Sequence, residues 1–168
     1  YGDSNPDGYS SIFFCQTHEA NKLVKFLFSL KNRKMVRDVT SIKVRYQETD
    51  KMGIAHHGNY FTWMEVARIH LLDSMNCPYS ELEEGGYFLP VISCSCEFKN
   101  PARFDDIIEI EVKLQQMEQV RLNLDYTIRR DELILAHAKT THAFVNQKGK
   151  VVRPPPDFLT NAGRKSLP

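Results

Sequence analysis

Apolar side chains recur at helical spacing in the middle of this chain. They are Phe61, Met64, Ala67, Leu71, Leu72 and Met75. Steps of three and four residues place such side chains on one face of a helix. Asn59 precedes the run as a candidate N-cap, because its side-chain oxygen can accept a hydrogen bond from a free N–H group of the first turn. Pro78 follows as a stop, so the pattern predicts one long helix.

Apolar and polar residues alternate in most of the remaining chain, which is the period of a strand with one packed face and one wetter face. Strands are predicted at residues 42–46, 87–99, 108–114, 121–129 and 134–144. One long helix and about five long antiparallel strands indicate an α+β domain. We expect a curved sheet that wraps around the central helix.

The last predicted strand carries small side chains on its packed face. That face is predicted to contain Ile134, Ala136, Ala138, Thr140, His142 and Phe144. Because Ala136 and Ala138 end at a methyl group, they would let the sheet approach the helix closely.

Length and charge exclude several classes of protein. A chain of 168 residues is long enough for one domain with a real core. The formal net charge of +1 gives no global reason to expect nucleic acid or an anionic membrane as a partner. Since no run of about 18 apolar residues occurs, no transmembrane helix is expected.

The cysteines do not follow a metal-ligand pattern. They are Cys15, Cys77, Cys94 and Cys96. Without a Cys-x-x-Cys pair or a second ligand cluster, no zinc site is predicted. Free, buried thiols in a reducing cytoplasm are the simplest interpretation, so we expect a cytoplasmic protein.

The first forty residues differ in composition from the rest. Residues 1–11 are rich in Gly, Ser, Asp and Asn, which is typical of a poorly ordered segment. Residues 21–30 have apolar side chains at helical spacing among lysines, and a docked helix, a dispensable leader or a membrane-surface helix would all fit. The expected organisation is an extension at 1–39, a domain at 40–157 and a tail at 158–168.

Residues 46–60 place an acid, Asp50, and two histidines, His56 and His57, on one short segment before the helix. An Asp before a glycine often forms a turn by accepting a hydrogen bond from its own backbone. A carboxylate on a loop that leads into a helix N-terminus also joins a nucleophile or base to oriented N–H donors. The second arrangement suits chemistry on a carbonyl group.

This segment resembles the 4-hydroxybenzoyl-CoA thioesterase family of hotdog-fold enzymes, and most closely its acyl-CoA thioesterase branch associated with the Tol–Pal system. The matching positions are Tyr46, Asp50, Gly53, His57, Asn59, Tyr60, Glu65, Ala67 and Arg68. Two further matches are a Pro-Ala-Arg turn at residues 100–106 and a proline-rich stretch at 153–156. The resemblance covers about residues 41–157 and implies a hotdog fold.

The resemblance implies a site built on Asp50 and the first turn of the helix. Asp50 would attack a thioester carbonyl or activate the water that attacks it, and both routes stay open. The backbone N–H groups of His57, Gly58 and Asn59 would stabilise the oxyanion, and that of His57 is the best single candidate. The His57 side chain would orient the carboxylate, position water or protonate the leaving thiolate. Tyr46 would hydrogen-bond the Asp50 carboxylate or fill a core position at the strand end.

Coenzyme A would enter as part of the substrate, so the resemblance implies no metal, prosthetic group or separate cofactor. The implied substrate-binding positions are Gly53, Asn59, Tyr60, Arg103, Arg129 and Arg130. The arginines would meet the coenzyme A phosphates. Glu65 is a rival acid, because another branch of the superfamily uses a helical Glu, although its spacing from Arg68 favours an ion pair.

The expected function is an acyl-CoA thioesterase that releases a carboxylic acid and coenzyme A. An acyl carrier protein thioesterase is one alternative, and a non-catalytic hotdog module that binds acyl-CoA is another. The resemblance further implies a homodimer or a homotetramer, because the family pairs exposed sheet edges between copies. Acyl-CoA is the expected ligand, and nucleic acid is not expected as a partner.

Overall fold

The computed structural model describes residues 36–115, 117 and 119–165. Most of the extension predicted at residues 1–39 lies outside these ranges, and so does Cys15. In the part of the chain that is described, no helix combines the length and the apolarity needed to cross a membrane.

The described residues form one antiparallel sheet of five strands in the order β1-β3-β4-β5-β2. The strands are β1 (Arg37–Lys43), β2 (Val91–Phe98), β3 (Ile107–Leu114), β4 (Arg121–Arg130) and β5 (Leu133–Ala143). The helices are α1 (Gly58–Ser74), α2 (Tyr79–Glu84) and α3 (Pro156–Lys165). The predicted α+β class, with about five strands and one long helix, is confirmed.

The core lies between α1 and one face of the sheet. Alternate positions of β3 and β4 are buried, namely Ile108, Ile110, Val112, Leu114, Leu122, Leu124, Tyr126 and Ile128. The predicted apolar face of α1 is buried at Met64, Ala67, Leu71, Leu72 and Met75. Phe61 was placed on that face but is 38% exposed, and Trp63, which was not predicted there, is buried. The helix lies nearest β1 and β3. The small side chains of Ala136 and Ala138 on β5 are buried as well.

The strand before the helix lies earlier in the chain than predicted. The sequence placed it at residues 42–46, whereas β1 pairs with β3 from Arg37 through Lys43. The chain then leaves the ladder and forms a 3-10 turn, Tyr46–Glu48. Val44 remains fully buried, so apolar alternation continued past the end of strand pairing. The apolar alternation reflects burial of side chains, so it predicted a strand that ends later than the observed strand pairing does.

Two features of the C-terminal half also differ from prediction. Ile134 is 39% exposed, although it was placed on the packed face of the last strand. A register irregularity between Ile128 and Arg129 shifts the pairing at this end of the β4–β5 hairpin. Helix α3 was not predicted, and its Phe158 is fully buried with its ring 5.0 Å from that of Phe144. The packed domain therefore extends past residue 157.

The described cysteines are free, but only some are buried. Cys77 is buried, Cys96 is half-buried and Cys94 is exposed, so the prediction of buried thiols is wrong for Cys94. The difference arises because β2 is an edge strand whose residues are mostly exposed. Burial raises the pKa of the Cys96 thiol to about 11, which leaves it protonated and weakly nucleophilic at neutral pH.

A buried polar network joins α1 to β5. The guanidinium of Arg68 lies 3.1 Å from Nε2 of His142, a residue with no exposed surface. His142 Nδ1 lies 3.2 Å from the Leu89 carbonyl oxygen, which can only accept, so Nδ1 carries the proton and Nε2 accepts. Thr140 Oγ1, 2.9 Å away, then donates to Nε2, and the Tyr126 hydroxyl donates to Thr140 at 3.1 Å.

This network predicts a specific loss of stability in mild acid. Burial and the positive charge of Arg68 lower the pKa of His142 to about 4, despite opposing hydrogen bonds to backbone carbonyls. The unfolded chain therefore takes up a proton near pH 6.5, where folded His142 does not. We expect the contribution of His142 to the unfolding free energy to be constant well above pH 6.5. This contribution should fall by roughly 3 kcal/mol as the pH drops to about 4.

Urea denaturation between pH 7.5 and 4.5 measures this effect. His142→Asn retains a donor for Leu89 but does not titrate, so its unfolding free energy should be lower at pH 7 and vary much less across the range. Equal pH dependence in the wild type and the variant would contradict the assignment.

Candidate active site

The segment between the 3-10 turn and α1 forms a closed loop. Thr49 and Ala55 pair as an antiparallel bridge, and Asp50 N–H donates to Ile54 O at 2.9 Å. Gly53 N–H donates back to Asp50 O at 2.9 Å, and Gly53 has a φ of +71°, a conformation that glycine adopts without strain. Ala55 N–H donates to the carbonyl of Ala102 at 2.8 Å, which ties the loop to the turn before β3.

Asp50 forms a turn and also keeps one carboxylate oxygen available. Its Oδ1 accepts a hydrogen bond from Met52 N–H at 2.8 Å, which is the local role common for Asp in turns. Among the described residues, no hydrogen bond or ion pair reaches Oδ2. The side chain is only partly buried. The turn therefore fixes the carboxylate while leaving one oxygen free to meet a substrate.

The N-terminus of α1 does not match the predicted cap. The helix begins at Gly58 with His57 at the N-cap position, so the prediction of Asn59 as the N-cap is wrong. The Asn59 side chain instead donates to Glu48 O at 2.7 Å. The chain enters α1 close to the 3-10 turn, so the Asn59 side-chain amide donates to the Glu48 carbonyl instead of capping the helix.

The three N–H groups proposed for an oxyanion differ in availability. Gly58 N–H donates to His56 Nδ1 at 3.2 Å, and Asn59 N–H donates to His56 O at 3.0 Å. His57 N–H has no hydrogen-bond partner among the residues that the structure describes. Its exposed imidazole lies against the His56 ring, with centroids 4.1 Å apart. His57 is thus the member of the set whose N–H is open to a ligand.

Tyr46 does not contact the carboxylate as proposed. Its side chain is 77% exposed and packs edge-on against Phe104, with ring centroids 5.5 Å apart. Neither the hydrogen bond to Asp50 nor the core position predicted for Tyr46 is present. The reason is the early end of β1, because a 3-10 turn rather than an extended strand separates Tyr46 from Asp50.

Two of the three candidate arginines are connected near the loop. Arg103 reaches the carbonyl of Gly53 at 3.4 Å, and its backbone N–H donates to Asp106 Oδ2 at 2.7 Å. The same Asp106 oxygen accepts from the Arg130 guanidinium. Arg129 lies apart from this group and pairs with Glu109 on β3 at 3.4 Å. The structure therefore brings Arg103 and Arg130 together beside the Asp50 loop.

The remaining candidate, Tyr60, supports the loop rather than facing solvent. It is 2% exposed, and its hydroxyl accepts from Ala102 N–H at 3.4 Å. Its ring packs against those of Trp63 and Phe98, with centroids 4.7 and 4.9 Å away. Together with the engaged amide of Asn59, this burial means that neither side chain is open to a substrate in the described structure.

Glu48 is a buried, ionisable residue beside the candidate site that sequence reasoning did not single out. It is 3% exposed, and its carboxylate accepts from Arg45 N–H at 2.7 Å, from the Arg45 guanidinium at 2.8 Å and from Trp63 Nε1 at 3.1 Å. Burial alone would raise the pKa of Glu48, but the hydrogen bonds from Arg45 and Trp63 outweigh it and leave the pKa lowered. Glu48 occupies the third position of the 3-10 turn and accepts from the N–H of Arg45, the residue before the turn. Because that residue is an arginine and not the Ser or Thr of a capping-box sequence, the local sequence carried no clear signal for this role.

The rival acid, Glu65, lies on the exposed side of α1. Its side chain is 62% exposed, and its carboxylate lies 4.0 Å from the guanidinium of Arg68. This is the i,i+3 ion pair expected from the sequence. Such an exposed pair contributes little to stability.

Other features of the described structure do not overlap the site. A cleft of about 660 Å³ lies beside α3 and is lined by Gly85, Gly86, Tyr87, Asn146, Val152, Arg153, Pro154, Pro156 and Leu159. None of these is a candidate residue, so this cleft is not the space in front of Asp50.

In the ranges described, no three His, Cys, Asp or Glu side chains are grouped to hold a metal ion.

Comparison with known proteins assigns the chain to a family. A model of the "Thioesterase-like superfamily" matches residues 44–162. A relative from Aquifex aeolicus, named "Putative esterase", is 33% identical over 117 residues, which cover 70% of this chain and 91% of the relative.

Solved structures agree with this assignment. The hypothetical protein TT1821 from Thermus thermophilus matches at 34% identity with a TM-score of 0.73, covering 79% of this chain and 99% of that one. The DHNA-CoA thioesterase from Staphylococcus aureus matches at 26% identity with a TM-score of 0.74, covering 77% and 91%. The chain therefore belongs to the thioesterase-like superfamily, and it is a hotdog-fold thioester hydrolase.

Proposed function

We propose that this protein hydrolyses acyl-CoA thioesters to a carboxylic acid and free coenzyme A, with Asp50 as the nucleophile or general base. One observation carries the proposal. Within the described ranges, the loop closed by the Thr49–Ala55 bridge presents a carboxylate oxygen of Asp50 without a partner. His57, two residues beyond the bridge, presents an N–H group that is likewise without a partner there. A nucleophile or base and an oxyanion donor are the two groups that acyl transfer requires.

The free oxygen of Asp50 supports two routes. In the first, Oδ2 attacks the thioester carbon, the carbon–sulfur bond breaks, and coenzyme A leaves as a thiolate that takes up a proton. Water then hydrolyses the resulting mixed anhydride. In the second, Asp50 takes a proton from a water molecule as that water attacks the carbonyl. The exposed imidazole of His57 supplies the proton to the thiolate or positions the water in either route.

The N–H group of His57 stabilises the charge that develops on the carbonyl oxygen. It lies at the start of α1, where the helix dipole also favours negative charge. Losing one such donor typically raises the barrier by about 2.7–4 kcal/mol. Gly58 N–H is a weaker second donor, because a substrate oxygen would have to displace His56 Nδ1.

Arg103 and Arg130 are the groups we assign to the coenzyme A phosphates, with Gly53 allowing close approach of the loop backbone. The Arg130 charge is paired with Asp106. The Arg103 guanidinium reaches only the Gly53 carbonyl, and its contact with Asp106 is made by the backbone N–H. A cytoplasmic location belongs to this proposal and suits the free thiols of Cys77 and Cys94. A carrier-protein thioester would meet the same basic groups, so rates on acyl-CoA and on acyl carrier protein distinguish the two substrates.

The direct test is thiol release from a panel of short-chain, long-chain and aromatic CoA thioesters. We expect turnover of at least one of them without added metal, and an unchanged rate after treatment with a chelator. Binding of every thioester without thiol release would favour a non-catalytic module. Inactivation by the chelator that zinc reverses would reject the proposed chemistry.

Asp50→Asn separates the proposed carboxylate from its rival. Asparagine retains an oxygen for the Met52 hydrogen bond, so the turn should persist and acyl-CoA should still bind. Turnover should fall by at least about 10³-fold, because the nucleophilic or basic oxygen is lost. Steady-state kinetics measure the effect, and isothermal titration measures the binding.

Glu65→Gln is the matched control, because it removes a carboxylate from α1 with the same chemical change. Its kcat should stay within a few-fold of the wild type. If Glu65→Gln abolishes hydrolysis in a folded protein while Asp50→Asn retains it, the roles are reversed.

The exposed edge of β2 supports the proposed homodimer. This strand pairs on one side with β5, and within the described sheet its other side has no neighbour. Val91 and Ile92 are each 53% exposed, and Phe98 is 47% exposed. A long, apolar, unpaired edge is a site of strand addition. Antiparallel pairing of two β2 strands would extend the sheet and cover these side chains.

Lysine at the two sheet edges tests this arrangement. Ile92→Lys on β2 should convert the assembly to a smaller species in sedimentation velocity, because two like charges would meet at the pairing edge. Val39→Lys on β1 is the control, since Val39 is 50% exposed on the opposite edge strand. Dissociation by Val39→Lys alone would place the interface on the other edge. A fully active monomer in the wild type would remove the need for a dimer.

A further inference from the structure

We propose that Glu48 is a positioning residue for hydrolysis, and that it holds Asp50 and the His57 N–H group in register with each other and with α1. This inference rests on the proposed function. Glu48 lies two residues before Asp50, is only 3% exposed, and its carboxylate is engaged by Arg45 and Trp63. Its action on the reaction would therefore pass through the loop.

The contacts of Glu48 reach both ends of the loop and the helix. Its carboxylate receives the Arg45 N–H and guanidinium groups from the chain before the loop. The same carboxylate receives Trp63 Nε1 from the second turn of α1 at 3.1 Å. Its backbone carbonyl receives His56 N–H at 2.8 Å and the Asn59 amide at 2.7 Å, after the loop. One residue thus joins the segment before Asp50, the segment before His57 and the helix.

The chemistry of these contacts requires a carboxylate. All three groups that face the side chain are N–H donors, and Oε1 and Oε2 each accept at least one of them. Glutamine has a single acceptor oxygen, so its amide N–H groups would point at either Arg45 N–H or Trp63 Nε1. A buried donor left without an acceptor costs about 1–3 kcal/mol. The strain would be relieved by moving the 3-10 turn away from α1.

A small displacement of this kind affects rate more than binding. Misplacing reacting groups by about 1 Å can lower the rate by about 10²-fold. Asp106, not Glu48, holds the Arg130 guanidinium and the Arg103 backbone N–H, so the coenzyme A contacts assigned to these residues keep that support when Glu48 is changed. Only the long Arg103–Gly53 O contact, at 3.4 Å, involves the loop. The loss should therefore appear in kcat, with KM almost unchanged.

Glu48→Gln tests the inference with two independent readouts. We expect kcat to fall by about 10- to 100-fold and KM to change less than about threefold, at a temperature where the variant is folded. Trp63 is the sole tryptophan of the chain, so its fluorescence reports the same hydrogen bond directly. Loss of the bond should shift the emission, and the His56 amide should exchange with solvent faster in hydrogen-exchange measurements.

Tyr126→Phe is the matched control, because it deletes a buried hydroxyl from the separate network around His142. It should lower stability while leaving kcat, Trp63 emission and His56 exchange close to the wild type. Trp63→Phe is the second variant: it removes the indole donor together with part of a buried ring, so its kcat is compared at a temperature where the variant is folded. It should lower kcat less than Glu48→Gln, and it keeps the test decisive if Glu48→Gln does not fold.

The outcomes separate the two proposals. Wild-type kcat in folded Glu48→Gln, or in Trp63→Phe if Glu48→Gln does not fold, would overturn the positioning role. An equal fall of kcat in Tyr126→Phe would also overturn it, since stability alone would then explain the effect. If the wild-type protein releases no thiol, the proposed function fails. In that case unchanged His56 exchange in Glu48→Gln would reject the structural role of Glu48 as well, and faster exchange would support it.

Discussion

The packing of α1 against the sheet is the constraint on which the site depends. Trp63, Met64 and Ala67 are buried on the face that meets the strands, so the rotation of the helix about its axis is determined by the core. Because the axis is fixed, the position of its first turn is fixed too. The loop that carries Asp50 must end at that turn, and its closure by the Thr49–Ala55 bridge then sets where the carboxylate lies.

A buried charge connects this packing to the chemistry. Glu48 lies almost fully inside the protein, where an ionised carboxylate is stable only if donors surround it. Arg45 and Trp63 supply those donors, and Trp63 belongs to the same helix face that forms the core. The hydrophobic contact and the polar contact therefore reinforce each other, and neither can shift without disturbing the loop.

The outer edge of β2 is the surface on which the proposed dimer rests. Strand β2 exposes the apolar side chains of Val91, Ile92 and Phe98. Phe98 also packs against Tyr60, whose hydroxyl supports the turn at Ala102. In the proposed dimer, a second copy would cover this apolar surface, which is continuous through Phe98 with the residues that support the Asp50 loop. The two sheet edges are also unequal, since α1 lies nearest β1 and β3. The apolar strand lies at the edge farther from the helix.

The sequence alone determined the elements whose patterns are local. Side-chain spacing follows directly from backbone geometry, so α1, β3, β4 and the α+β class were predicted with nearly the observed bounds. Asp50 and His57 were singled out by the resemblance of one short segment to a known family, since the local pattern alone fits a turn-forming Asp equally well. Tertiary contacts decided the rest. Tyr46 lies against Phe104, Asn59 donates to Glu48, and Glu48 accepts from Trp63. Each contact joins residues that the fold brings together from separate positions in the chain, and no local pattern encodes such a contact.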